Sequence, residues 1–176
     1  NLLQKEIITL AEISSHHTLL DLNAGRGLLL WEAARRIREG GVYGLAGSPG
    51  TSDYLDQYLK QLPELERPII INNSLLEFSE TGSILFDSVI GRNTLTRIPD
   101  RTAFLKAALK ILSPGGRIVL AETIPSESTR LSQLLELPGT MDSGSALTES
   151  KLLKHVKEAE GVIYDSGNNP VTSWKE

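Results

Sequence analysis

"LLDLNAGRGLLLWEAARR", residues 19–36, decides the fold. A short apolar run leads into two glycines, Gly25 and Gly27, and then into a helix-like pattern in which Leu30, Ala33, Ala34 and Ile37 fall on one face. A glycine pair between a strand and a helix lets backbone N–H groups come close to a bound molecule and sets that molecule at the helix N-terminus. Nucleotides and nucleotide-like cofactors are the usual ligands of such a turn.

Outward from this turn the chain alternates helices and strands. A leading helix over 3–13 carries Leu3, Ile7 and Leu10 at helical spacing, and the first strand follows over 18–22. The helix after the glycines spans 27–39 and stops at Gly40 and Gly41, and a second strand fits 42–45. Ser48 and Pro49 supply an N-cap and a first-turn proline for a helix whose Leu55, Tyr58, Leu59 and Leu62 face the core. The β-branched run Ile69, Ile70 and Ile71 reads as a strand covered on both faces. A fourth strand fits 86–90, a helix 100–112, a Ser-Pro-Gly-Gly turn 113–116 and a fifth strand 117–121.

Beyond Glu122 the pattern weakens: helices fit 131–137 and 148–160, a loop 139–145 and a sixth strand 162–164. The alternation predicts an α/β fold with a doubly wound, mostly parallel sheet and helices on both faces. The first and fourth strands then lie side by side at the centre, and the ligand crevice opens between the loops after Leu22 and Ile90, at the carboxyl ends.

Composition narrows the chemistry. At 176 residues the chain fits one domain, and 40% apolar with 23% charged residues is ordinary for a globular protein. The absence of cysteine excludes disulfides, zinc–thiolate sites and a thiolate nucleophile, and with the last of these cytosine C5 methylation. A net charge of −4 gives no footprint for duplex nucleic acid, and the basic cluster Arg35, Arg36 and Arg38 reads as a solvated helix flank. No apolar run approaches the roughly 18 residues that span a bilayer and no signal peptide opens the sequence, so a cytoplasmic protein with no membrane partner is expected. The chain starts at Asn1 and ends in "NNPVTSWKE", which reads as a piece of a longer chain with other domains.

These segments resemble a class I S-adenosylmethionine (SAM)-dependent methyltransferase. The first family motif, an acid followed by a glycine-rich turn, is similar to Asp21, Leu22, Asn23, Ala24, Gly25, Arg26 and Gly27. "VYGLAGSP" at 42–49, "FDSVIGRNTLTRIPD" at 86–100 and "LKAALKILSPGGRIVLAE" at 105–122 resemble later family segments in the right order. The resemblance implies a Rossmann-like methyltransferase fold with an incomplete C-terminal closure. It implies SAM as cofactor and a small-molecule or protein methyl acceptor. It implies a cofactor-binding core over 1–122, with acceptor-side and closing elements in 123–176.

Carried over residue by residue, the cofactor positions are Asp21, Asn23, Ala24, Gly25, Arg26, Gly27, Ala46, Gly47, Asn73, Ser74, Gly91 and Arg92. Two of these depart from the family. Asn23 replaces the first glycine, a mild change because asparagine tolerates left-handed backbone. Ala46 stands where the family places an acid that accepts from both ribose hydroxyls, which implies weakened SAM binding unless Ser48 or a water substitutes. Asn73 or Ser74 takes the place of the acid that contacts the adenine amino group.

Methyl transfer is an in-line displacement that positioning can drive, so no catalytic base is assigned. Arg92 and Asn93 are candidates for the acceptor pocket, whereas His16, His17 and His155 read as solvated residues. Three readings stay open. One is a SAM-dependent methyltransferase. Another is a degenerate module of that fold serving interaction or regulation in a larger chain, such as an AAA+ ATPase. The third is a nicotinamide-dependent oxidoreductase, disfavoured because the third fingerprint glycine would fall on Leu28 or Leu30.

Overall fold

The computed structural model describes residues 2–81 and 84–123, together with Lys151, Lys154, His155 and Glu158, which are helical. Five parallel strands form one sheet in the order β3-β2-β1-β4-β5, built from β1 (Thr18–Asp21), β2 (Gly41–Leu45), β3 (Ile69–Ile71), β4 (Phe86–Arg92) and β5 (Leu112–Ala121). The central pair is β1 and β4, as the alternation requires: Leu20 lies opposite Val89 and Asp21 opposite Ile90. Helices α1 (Leu2–Leu10), α2 (Leu28–Arg36) and α3 (Pro49–Leu59) cover one face, packing Ile7, Leu30, Ala33 and Leu55 on Leu19, Val42 and Ile90. Helices α4 (Leu75–Thr81) and α5 (Arg101–Lys110) cover the other with Leu75, Phe104 and Ala108 on Leu20, Phe86 and Val89. Alternate strand residues therefore enter two cores, Leu20 and Val89 one and Leu19 and Ile90 the other, which is why each central strand carries consecutive apolar residues.

Several boundaries differ from the sequence reading for identifiable reasons. The leading helix ends at Leu10, before Glu12 takes a φ of 45°, and α2 ends at Arg36 because Ile37 is extended. The run Ile69–Ile71 is an edge strand, so Ile69 is 52% exposed instead of covered on both faces. Helix α4 was not anticipated: no element was assigned between Ile71 and Phe86, yet Ser74 and Glu77 form a reciprocal capping box, with Ser74 N–H donating to Glu77 Oε2 (3.0 Å) and Glu77 N–H to Ser74 Oγ (3.3 Å). Strand β4 runs two residues past Ile90 before Asn93 breaks it at φ 51°. The Pro-Gly-Gly segment lies where the β4–β5 register shifts, between the pairs Phe86–Leu112 and Ser88–Arg117. The helix, loop and sixth strand expected between 124 and 176 lie outside the described residues, except that the four described positions there are helical as expected for 148–160.

Candidate functional site

The turn after β1 is shaped by three bonds. Leu22 N–H donates to Ile90 O (2.8 Å), Ala24 N–H to Leu45 O (3.1 Å) and Gly27 N–H to Ala24 O (2.6 Å), so the loop hangs between the carboxyl ends of β4 and β2. Gly25 and Gly27 have φ of 49° and 78°, and Gly27 is the N-cap of α2 with no side chain to cap it. A Cβ at Gly27 would run into the Trp31 indole, so that glycine is demanded by helix packing as well as by conformation. Asn23 is not left-handed, contrary to the reason given for its tolerance: its side chain donates instead to Arg92 O (2.8 Å), tying the β1 loop to the end of β4.

Beneath the loop sits Asp21, 1% exposed. Its Oδ1 accepts from Asn23 N–H (3.0 Å), while Oδ2 is buried with no hydrogen-bond partner. Burial pushes its carboxyl up to about 7, partly offset by the Asn23 backbone bond. An acid left half-satisfied at the carboxyl end of a central strand is costly for folding and suited to receiving a donor from a ligand.

Beside the loop a groove of about 720 Å³ opens at the carboxyl ends of the strands. Leu22, Leu45, Leu75, Ile98 and Phe104 form its apolar lining, and Gly47, Ser48, Asp53, Asn72, Asn73, Ser74 and Asp100 contribute its polar groups. The expected end of the sheet is therefore right, but the groove spreads over β2 and β3 instead of lying only between the loops after Leu22 and Ile90. Of the anticipated residues, Gly47, Asn73 and Ser74 line it. Ala24, Ala46, Gly27 and Gly91 are buried, Asn23, Gly25 and Arg92 are half-buried, and Arg26 is exposed. Ala46 N–H is spent on Ile71 O (3.1 Å), and its methyl group offers no acceptor.

Sequence reasoning missed Asp53, Asn72 and Asp100 at this groove. Asp53 carries no motif, and its signal is positional: it lies one turn into the helix that Ser48 caps. The loop after β4 is held by residues that follow β5. Glu122, 8% exposed, accepts from the N–H groups of Thr94 (2.8 Å), Leu95 (3.0 Å) and Thr96 (3.3 Å), while Asn93 Oδ1 accepts from Thr123 N–H (2.9 Å) and Oγ1 (2.8 Å). Asn93 is thus a loop anchor. His16 and His17 precede β1 at the opposite end of the sheet, with His17 Nδ1 accepting from Ser14 N–H (3.4 Å), and His155 contacts Thr102 Oγ1 (3.1 Å) on α5. Arg35 and Arg36 pair with Glu32 on the exposed flank of α2, as read.

Solved structures that superpose on this chain include several methyltransferases. A SAM-dependent methyltransferase from Aquifex aeolicus superposes with a TM-score of 0.67 at 12% identity, covering 89% of this chain and 78% of its own. The [4+2]-cyclase SpnF gives 0.70 at 15%, covering 90% and 55%. Coclaurine N-methyltransferase, bound to N-methylheliamine and S-adenosylhomocysteine (SAH), gives 0.59 at 15%, covering 68% and 34%. The chain thus spans little more than half of SpnF and a third of the coclaurine enzyme. No protein-family model matches the sequence, and no curated protein matches it. The fold is that of the class I SAM-dependent methyltransferases, and at these identities the likeness speaks for the fold alone. Among the described residues no helix is long and apolar enough to cross a membrane, and no group of three or more His, Asp or Glu side chains could hold a metal ion.

Proposed function

We propose that the chain binds SAM at the carboxyl ends of β1, β2 and β4 and transfers its methyl group to a small-molecule or protein acceptor. The observation that carries this reading is the buried, unpartnered Asp21 Oδ2 under the glycine turn. It is the acceptor that the ammonium group of an amino-acid tail requires, and Gly25, half-buried and without a Cβ, leaves the backbone of the turn above it open to approach. The adenosine end falls in the adjoining groove, against Gly47, Asn73 and Ser74. When bound, the cofactor supplies an electrophilic methyl group on a sulfonium.

The chain's own part is placement. Asp21 orients the tail, and the Asn23 bridge to Arg92 O fixes the spacing between the β1 and β4 loops. Glu122 holds residues 94–96 rigid where the acceptor would approach. Titration calorimetry with SAM and SAH tests this. Binding of both is expected; no heat with either removes the cofactor assignment.

Ala46 favours a second reading, a binding module of this fold that performs no transfer. The cyclase among the similar structures shows that the architecture is not confined to methyl transfer. SAH binding without methyl loss from SAM on any offered acceptor is what that reading expects.

A further inference from the structure

We propose that Asp53 is the ribose-recognising residue of the groove, accepting the vicinal hydroxyls of a bound nucleoside in a role that Ala46 cannot fill; this rests on the cofactor site described above. The argument comes from which of the hydroxyl and carboxylate groups in the groove are already engaged. Ser48 Oγ caps α3 by accepting from Thr51 N–H (3.3 Å) and also bonds Thr51 Oγ1 (3.0 Å). Ser74 is committed on both its N–H and its hydroxyl to the capping box with Glu77. Asp100 spends one of its two carboxylate oxygens, Oδ1, on capping α5 by accepting from Ala103 N–H (2.9 Å).

Asp53 is different. It lines the groove from α3, four residues after Pro49, and neither carboxylate oxygen has a partner among the described residues. No lysine or arginine lines the groove. Its charged groups are therefore acceptors only, which suits a ligand presenting hydroxyl donors and opposes one presenting phosphates. A carboxylate has two oxygens to meet two adjacent hydroxyls. The aspartate therefore reads out the diol and, by the same charge, excludes nucleotides with a phosphate at this position.

The test pairs two ligands with two variants. Calorimetry measures SAH and its 2′,3′-dideoxyribose analogue against the unaltered protein, Asp53→Asn and Asp56→Asn; Asp56 lies on the same helix but does not line the groove. Asp53 is exposed, so its variant should fold, and a melting curve checks this. The unaltered protein should prefer SAH over the analogue by about tenfold, Asp53→Asn should erase that preference, and Asp56→Asn should keep it. A preference that survives in Asp53→Asn, or an equal weakening of both ligands, overturns the role of Asp53 while leaving the cofactor site standing. If SAH fails to bind the unaltered protein, both readings fall together.

Discussion

At Asp21 stability and binding pull in opposite directions. Its carboxyl is raised from 3.8 to about 7 by burial, so between those values the folded chain holds a proton that the unfolded chain has released. The stability this proton contributes is full below pH 3.8 and lost as pH rises through about 7, an effect of about 4 kcal/mol at 1.36 kcal/mol per pH unit. Asp21→Asn removes the titration. The variant should melt higher than the unaltered protein at pH 8 and show a flatter dependence of Tm between pH 4 and 7, while its affinity for SAH collapses. In the unaltered protein a ligand ammonium favours the carboxylate, so affinity should rise with pH up to about 7, at most tenfold per unit. Equal pH profiles of Tm for the two proteins would show that Asp21 is not raised. At Ala46, Ala46→Asp offers the ribose a second acceptor. Tightening of SAM binding by about ten- to a hundredfold is expected if the strand end faces the ligand. A carboxylate without a donor would instead lower Tm with no gain in affinity, because the site is 5% exposed.

At the scale of elements, the loop after β4 depends on a side chain from the next strand. Glu122→Ala leaves the buried N–H groups of Thr94 and Leu95 without acceptors and should cost about 2–4 kcal/mol in urea unfolding, with Glu122→Gln costing less because a carbonyl in place of Oε1 keeps both of those bonds and only the one from Thr96 is lost. Thr94→Val should work the other way. The Thr94 hydroxyl is buried without a partner, so an apolar group of the same shape should stabilise by about 1 kcal/mol. Neither Glu122 nor Thr94 carried a signal in the sequence, because each acts through a contact between chain ends of neighbouring strands. Elements whose cause is local were legible: Ser48 and Pro49 announced α3, and the alternation gave β1 and β4 as neighbours. Helix α4 was equally local, and its Ser-x-x-Glu signature went unread because only seven residues follow it. The exposure of Ile69 was not legible at all, since an edge strand and a central one share the same apolar run. In the site, Asp21 was legible from its motif, whereas Asp53 became visible only once the caps had claimed Ser48, Ser74 and Asp100.

Over the whole molecule, the two ends of the sheet differ in what they offer a ligand. The carboxyl ends carry the glycine turn, the groove and the Glu122-held loop. The amino ends carry a smaller cavity of about 240 Å³ bordered by Glu12, His17, Asp87 and Arg117. There the charges are already satisfied within the chain: Arg117 pairs with Glu12 (2.6 Å), and Asp87 Oδ2 accepts from Thr18 N–H (2.8 Å). Hydrogen exchange with and without SAH separates the two ends. Amides that exchange only through global unfolding slow by a common factor, about a hundredfold with free ligand at 100 times Kd. Amides that exchange through local opening slow only where the ligand closes the chain over itself. Residues 23–27, 47–53 and 72–76 should therefore gain protection that ligand linkage through global unfolding does not supply, while residues 12–17 and 114–117 should not. Added local protection at the amino ends would place the ligand on the wrong side of the sheet. A common factor everywhere would mean that SAH stabilises the fold without closing these loops, and the placement of the cofactor over the glycine turn would fail with it.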